Sequence, residues 1–297
     1  MRERWQRAVM RAVLPRSGLR KVAPLLQSPR YEVFPARNIE AAITEWVPRA
    51  LTITVTASPT KGLEATIDLT ERLSAHGYRV VPHLSARLVR DAAQLADIVA
   101  RLRGCGVDDV FVPAGDADPP AGCFPSALAL LDQLAAMGRP FSRVGITGYP
   151  QSHPKIGDDI TVQSMWDKRH HAAYLVSNLC FDPAVLQRWI SRVRARGVTL
   201  PLLVGLAGPA DQARLLQMAA KAGVADSARF VTGHAEWLVR LGAPGGYAPD
   251  RLLDRAGTAL TAPAALVEGL HVFTFNQVRQ TEEWRSALVA RLASAVP

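Results

Sequence analysis

Cysteine is scarce in this chain and unpaired. Only Cys105, Cys123 and Cys180 occur in 297 residues, none in a C-x-x-C spacing. An odd, scattered set makes no disulfide framework, so the expected compartment is a reducing cytoplasm. Long apolar runs are missing as well. The short run from Met10 to Leu14 is interrupted by Arg11, so no signal-peptide core is expected. No stretch approaches the ~20 apolar residues that span a bilayer, and no membrane is expected as a partner. Lysine is rare: Lys21, Lys61, Lys155, Lys168 and Lys221 are the whole set, so the formal charge of +9 is nearly all arginine. Part of that excess sits in the first 30 residues, from Arg2 to Arg30. The basic residues are not interleaved with aromatics and no nucleic-acid motif accompanies them, so a compositional bias explains them better than nucleic acid does. An anionic small-molecule substrate is a third option and fits an enzyme better.

Missing motifs narrow the chemistry further. There is no G-x-S-x-G, which argues against a nucleophile-elbow hydrolase. No G-x-G-x-x-G follows any strand-like run, which weakens an open dinucleotide-binding sheet. No lysine lies at a strand end, as a Schiff-base aldolase would need. His83, Asp116 and His153 could be assembled into a metal site, but the first strand-like run lacks a His-x-His pair, and the adjacent His170 and His171 diverge on a helix. No metal is therefore expected.

What is present is an ordinary globular composition, 48% hydrophobic and 21% charged, with a repeating pattern. Eight short, nearly continuous apolar runs read as parallel strands buried on both faces. They are Tyr31–Arg37, Leu51–Ala57, Arg79–Ser85, Asp109–Gly115, Arg143–Tyr149, Tyr174–Phe181, Leu200–Ala207 and Gly269–Asn276. Helix-like segments lie between them: Leu63 to His76, Asp91 to Arg103, Ser126 to Met137, Pro183 to Arg196 and Pro209 to Ala222. These are closed by Gly77, Gly104, Gly138, Gly197 and Gly223 respectively. Thr281 to Leu292 forms the last helix. Eight βα units close naturally into a (β/α)8 TIM barrel, with an open doubly wound sheet as the alternative. Residues 1–28 read as a basic N-terminal helical extension packed across the barrel bottom, and 29–297 as a single catalytic barrel. Residues 208–268 hold the seventh helix and an extra helix before the last strand. Trp166, Trp189 and Trp237 fall at helical positions and read as packing.

In a barrel, polar residues at strand C-terminal ends point into the active site. The first strand supplies Glu32 among apolar neighbours. Burial raises a carboxyl's pKa, so Glu32 is a candidate proton donor, against a structural Glu paired to an interior Arg. The later strand ends supply His83, then Gly115 and Asp116, then Tyr149 and His153. Ser177 and Asn178 come from the sixth, and Thr274, Asn276 and Gln277 from the eighth. Together they suggest a polar, metal-free pocket suited to proton transfer beside a bound organic cofactor or heterocycle.

Several of these pieces, in this order, resemble the methylenetetrahydrofolate reductase family. They are Glu32-Val33-Phe34-Pro35, Thr54-Val55-Thr56, Pro82-His83-Leu84, Gly115-Asp116, Tyr149-Pro150 with His153-Pro154, Phe181-Asp182, and the run from His271 to Asn276. The likeness covers residues 30–290. It implies reduction of the methylene bridge of methylenetetrahydrofolate to a methyl group with electrons from a nicotinamide. Glu32 would then be the acid that opens the five-membered ring, and Asp116 would contact the pterin. Asn178 stands where the family has a folate-contacting Gln, Arg214 near another, and Gln277 is a further folate candidate. Thr56, Ser58, His83, Gly115, Tyr149 and His153 would line the space for a flavin or a nicotinamide. Two departures bear on the cofactor. Most members cradle FAD with an Arg before the Gly-Asp turn and a basic Lys-Arg-Lys helix before the sixth strand. Here Ala114 takes the first place, and the helix reads from Ser164 to His171. The resemblance therefore implies a flavin-independent branch with NADH as the direct hydride donor. The alternatives are an FAD-dependent form of the same reaction, a different folate reaction such as methyl transfer, or a non-catalytic folate-binding barrel.

Overall fold

The computed structural model describes residues 17–57, 61–151, 156–209 and 248–294. Each expected strand forms: β1 (Arg30–Val33), β2 (Thr52–Val55), β3 (Arg79–Pro82), β4 (Asp109–Phe111), β5 (Arg143–Gly148), β6 (Tyr174–Ser177), β7 (Leu202–Ala207) and β8 (Val267–Phe273). The described helices are α1 (Ser17–Lys21), α2 (Ile39–Trp46), α3 (Glu64–Ala75), α4 (Ala92–Gly104), α5 (Ala127–Ala136), α6 (Asp158–Lys168), α7 (Pro183–Ala195), α8 (Pro249–Leu260) and α9 (Val278–Ala293). All the strand pairs are parallel, in the order β3-β2-β1-β8-β7-β6-β5-β4. A parallel bridge between His83 and Phe111 joins the two ends of that order, with Leu84 N–H donating to Phe111 O at 2.8 Å. This closure makes the sheet a (β/α)8 barrel and rules out the open sheet.

Local chemistry sets the helix ends. Asp91, Ser126 and Asp182 cap α4, α5 and α7, each accepting a backbone N–H of the first turn, and Pro183 follows Asp182 as the first helical residue. One expected stop moves: α4 runs through Gly104, and Gly106 takes the left-handed turn at φ +80°. Most strands stop short of their apolar runs at the C-terminal end. The surplus residues, such as Thr56, Ser85, Gly115 and Tyr149, lie beyond the strand ends, where the site is built. Of the helix expected from Pro209 to Ala222 only Pro209 is described, and the stretch Ala225–Gly242 with Trp237 lies outside the described residues.

Of the N-terminal segment, α1 and the 3-10 turn Ala23–Leu26 are described. α1 crosses α8 at backbone contact: a Cβ on Gly18 would lie 1.9 Å from the Asp254 carbonyl, and one on Gly257 would lie 2.2 Å from the Gly18 carbonyl. Leu19 N–H donates to Asp254 Oδ1 at 3.3 Å, so this part of the segment is tied to the barrel.

Side chains alternate across each strand. On β1, Tyr31 faces outward and its hydroxyl donates to Glu282 of α9 at 2.8 Å, so Arg30 and Glu32 face the barrel interior. Arg30 belongs to the N-terminal layer. Its guanidinium donates to Tyr174 Oη at 2.8 Å and to Asp109 Oδ2 at 2.9 Å, while Tyr174 donates to Asp109 Oδ1 at 2.7 Å. A small apolar cluster of Val81, Phe111, Tyr174, Val176 and Leu203 fills the middle. Glu32 belongs to the C-terminal layer.

Candidate active site

A cleft of about 270 Å³ opens at the C-terminal ends of the strands. Its lining comes from successive strand ends: Glu32, Thr56, His83 with Ser85, Gly115 with Asp116, Tyr149, Ser177 with Asn178, and His271 with Phe273. Seven sequence candidates, Glu32, Thr56, His83, Gly115, Asp116, Tyr149 and Asn178, thus share one cavity. Gln277 is not among its lining residues; it precedes α9, with its N–H donating to Thr274 O at 2.8 Å. Ser58, His153 and Arg214 lie outside the described residues.

Glu32 sits at the cleft floor between two buried histidines. Its Oε2 is 2.9 Å from His271 Nε2 and 3.7 Å from His83 Nε2. Neither a free carboxyl with a raised pKa nor a pairing with Arg describes it. Burial is the largest influence and acts to raise the carboxyl. The hydrogen bond with His271 and the fields of His83 and His271 outweigh it, holding Glu32 below the usual carboxylate range. An ionised carboxylate only accepts, so the shared proton sits on His271 Nε2. Burial pushes His83 down to about 4, which leaves its ring neutral near pH 7. Each imidazole packs on a phenyl ring, His83 on Phe111 with centroids 4.7 Å apart and His271 on Phe273 at 4.9 Å.

The β1 end is fixed by the loop after β8. Thr274 Oγ1 donates to the Glu32 carbonyl at 2.6 Å, and the Asn276 carboxamide bonds both the N–H and the C=O of Phe34, each at 2.9 Å. Phe275 and Asn276 adopt left-handed φ values of +52° and +59° to make this clamp, a local strain borne at the site's edge. Across the cleft, Gly115 at φ +84° brings its backbone against Ser85; a Cβ there would lie 3.0 Å from Ser85 Cβ. Arg87 braces the following loop through Ala117 O at 2.6 Å and Asp118 Oδ1 at 3.2 Å. Burial, with the Asp116 charge adding to it, raises the Tyr149 phenol. Asn178 Oδ1 accepts from Leu179 N–H at 2.8 Å, which leaves its amide N–H2 as a donor with no acceptor among the described residues.

The methylenetetrahydrofolate reductase family model matches residues 32–226. The chain belongs to this family. Membership makes it a folate-related one-carbon reductase on a TIM barrel. Among solved structures it is similar to oxaloacetate acetylhydrolase in complex with oxalate, at 15% identity and TM-score 0.46, covering 82% of this chain and 95% of that one. It is also similar to 7,8-dihydropteroate synthase from Vibrio fischeri ES114, at 14% identity and TM-score 0.43, covering 91% and 95%. Neither likeness bears on the reaction.

Members of the family usually bind FAD, and the described walls of this cleft fit that group poorly. None of the described lining residues is Lys or Arg, and two, Glu32 and Asp116, are acidic. A resident diphosphate needs cationic partners or amide donors in place of water. The basic end of α6 is directed elsewhere. Lys168 is buried, which pushes its amine down to about 8. Arg169 stacks over Trp166 at 3.6 Å, and His171 is 3.2 Å from Asp132. His170 and His171 line a separate hollow of about 180 Å³ with Ser142 and Val144, at the N-terminal end of β5 and so opposite the cleft.

One residue of the floor, His271, escapes the sequence reading. It stands inside a motif used there only for family likeness. Its parity with Phe273, between outward-facing Leu270 and Val272, was the available signal. No three His, Cys, Asp or Glu side chains among the described residues are grouped for a metal ion. No described helix is long and apolar enough to cross a membrane.

Proposed function

We propose that the protein reduces 5,10-methylenetetrahydrofolate to 5-methyltetrahydrofolate, taking hydride directly from NADH or NADPH without a flavin. The observation that carries this reading is the Glu32 carboxyl on the floor of a cleft whose described lining offers heterocycle-sized space and, among the described residues, no Lys or Arg as a diphosphate counter-charge. A nicotinamide co-substrate leaves at every turnover. It needs only its ring inside the cleft, and its diphosphate can stay in water, where a resident FAD would have to be held.

The reaction consumes one proton and one hydride. Proton transfer to N10 breaks its bond to the methylene carbon, and the N5 lone pair forms the iminium. Hydride then adds to that carbon to give the methyl group. Glu32 supplies the proton. In the open cleft it is ionised, but a folate laid over it removes water from the carboxyl and leaves burial, already its largest influence, to raise it further. Asp116 accepts from the amino edge of the pterin, and the Asn178 N–H2 donates to a ring carbonyl. Arg214 and Gln277 are the remaining folate candidates. Thr56, His83, Gly115 and Tyr149 surround the nicotinamide, and Ser58 and His153 are the remaining candidates for it. Orientation of donor and acceptor then contributes much of the rate. A cytoplasmic location and a free tetrahydrofolate substrate belong to the same reading.

The test is anaerobic NADH oxidation by purified protein with methylenetetrahydrofolate and no flavin added or bound. Folate-dependent loss of nicotinamide absorbance is expected. Turnover only after FAD is added would overturn the flavin-free route and keep the reductase. Silence in both conditions would overturn the reductase reading.

A further inference from the structure

Both histidines at the cleft floor address the same oxygen of Glu32. His271 Nε2 lies 2.9 Å from Oε2 and His83 Nε2 lies 3.7 Å from it. No described hydrogen bond reaches Oε1. The His271 side chain is 2% exposed and that of His83 5%, against 16% for Glu32. The buried atoms His271 Nδ1 and His83 Nε2 have no hydrogen-bond partner among the described residues. The histidines are therefore not parts of a larger structural network. Among the described residues, the one side-chain hydrogen bond of this group runs from His271 to Glu32.

We infer that His271 is the positioning residue for the catalytic acid: it holds Oε2 of Glu32 from below and so presents Oε1 to the cleft as the oxygen that carries the proton to substrate. This rests on Glu32 being the acid of the proposed reaction. β8 carries both ends of the arrangement, since Thr274 and Asn276 hold the β1 backbone three and five residues beyond His271. His83 at 3.7 Å is beyond hydrogen-bond range and acts as a wall, packed on Phe111. The other titratable groups facing Glu32 from this cleft are Asp116 after β4 and Tyr149 after β5; the described cleft residues of β2 and β6 carry none. Arg30, on the same face of β1, is committed to Asp109 and Tyr174.

The test compares His271→Leu, which keeps bulk and removes the donor, with His271→Gln, whose amide nitrogen reaches roughly where Nε2 lies. Titration of the Glu32 carboxyl by NMR of ¹³C-labelled glutamate, assigned by loss of the signal in Glu32→Gln, reads the contact without any turnover. In His271→Leu the midpoint should rise by roughly one pH unit or more. Turnover should drop on the order of 30-fold with KM changed by less than about threefold, and His271→Gln should restore most of both. An unchanged midpoint in His271→Leu, or equal loss in both variants, would overturn the assignment. If His271→Leu does not fold, His271→Asn, whose donor is too short to reach Oε2, takes its place against His271→Gln under the same criteria. A wild type that titrates as expected but does not reduce folate would sink the reaction and leave the positioning contact standing.

Discussion

Two polar layers sit inside one barrel, two residues apart on the same strand, and they are finished differently. At the N-terminal layer Arg30, Asp109 and Tyr174 close a ring of hydrogen bonds at 2.7 to 2.9 Å. Arg143 adds a cation over the Tyr174 ring at 5.3 Å and an ion pair to Asp109 at 3.6 Å. At the C-terminal layer the Glu32 carboxyl has one hydrogen bond among the described residues, and the two histidines keep buried nitrogens without partners there. A satisfied polar network in a low-dielectric interior fixes structure, whereas an unsatisfied one costs stability and persists where chemistry needs it. The first layer reads as a structural plug and the second as a site.

The largest expected effect breaks the second layer. Glu32→Gln should lower kcat by roughly 10³-fold, within the range for removing a general acid. The amide still accepts from His271 Nε2–H, so the fold should hold. Steady-state NADH oxidation alongside a thermal melt checks this, and near-normal turnover would remove Glu32 from its role. The next breaks the first layer. Arg30→Met strips the cation from a partly buried carboxylate; losing one partner of a fully buried pair costs about 3–5 kcal/mol, and this pair should lose about 2 kcal/mol or more. Urea unfolding should show that loss while turnover per folded molecule changes little. A loss below about 1 kcal/mol would mean that Arg143 and Tyr174 suffice for Asp109.

The barrel was legible because its signals are local and repeated: eight apolar runs, capping residues such as Asp91 and Asp182, and glycines after the helices. Helix α2 was not, because Ile39–Trp46 is short and lacks a side-chain cap at Asn38. The site was legible as a set of strand-end residues, since seven candidates from six strands meet in one cavity. What surrounds each was not. The Glu32 carboxyl was expected to sit high through burial alone. The opposing hydrogen bond comes from His271, 239 positions away, and no local pattern announces it. Lys168 and Arg169 present the same problem in reverse. As letters they belong to a basic helix that could face a cofactor, but the length of α6 carries them to the far end of the barrel.

The smallest effect sharpens the comparison through pH. His83 has a folded pKa of about 4 against an ordinary 6.5. The unfolded chain therefore binds a proton in that window and the folded chain does not. The stabilisation is complete above about pH 6.5 and is lost as pH falls toward 4, by on the order of 3 kcal/mol. Glu32, held low, has the same sign at lower pH: its contribution is lost as pH falls through its folded value. Asp109 has the opposite sign. Burial, its largest influence, raises its carboxyl despite Arg30 and Tyr174, so the folded chain takes up that proton first and acid favours folding there. Acid should thus loosen the C-terminal layer and spare the N-terminal one. Unfolding free energies from urea titrations between pH 7 and 4 should fall less steeply in His83→Gln than in the wild type, by up to that amount. Parallel curves for the two proteins would show that His83 is not held neutral by its surroundings, and the contrast between the layers would then rest on hydrogen bonding alone.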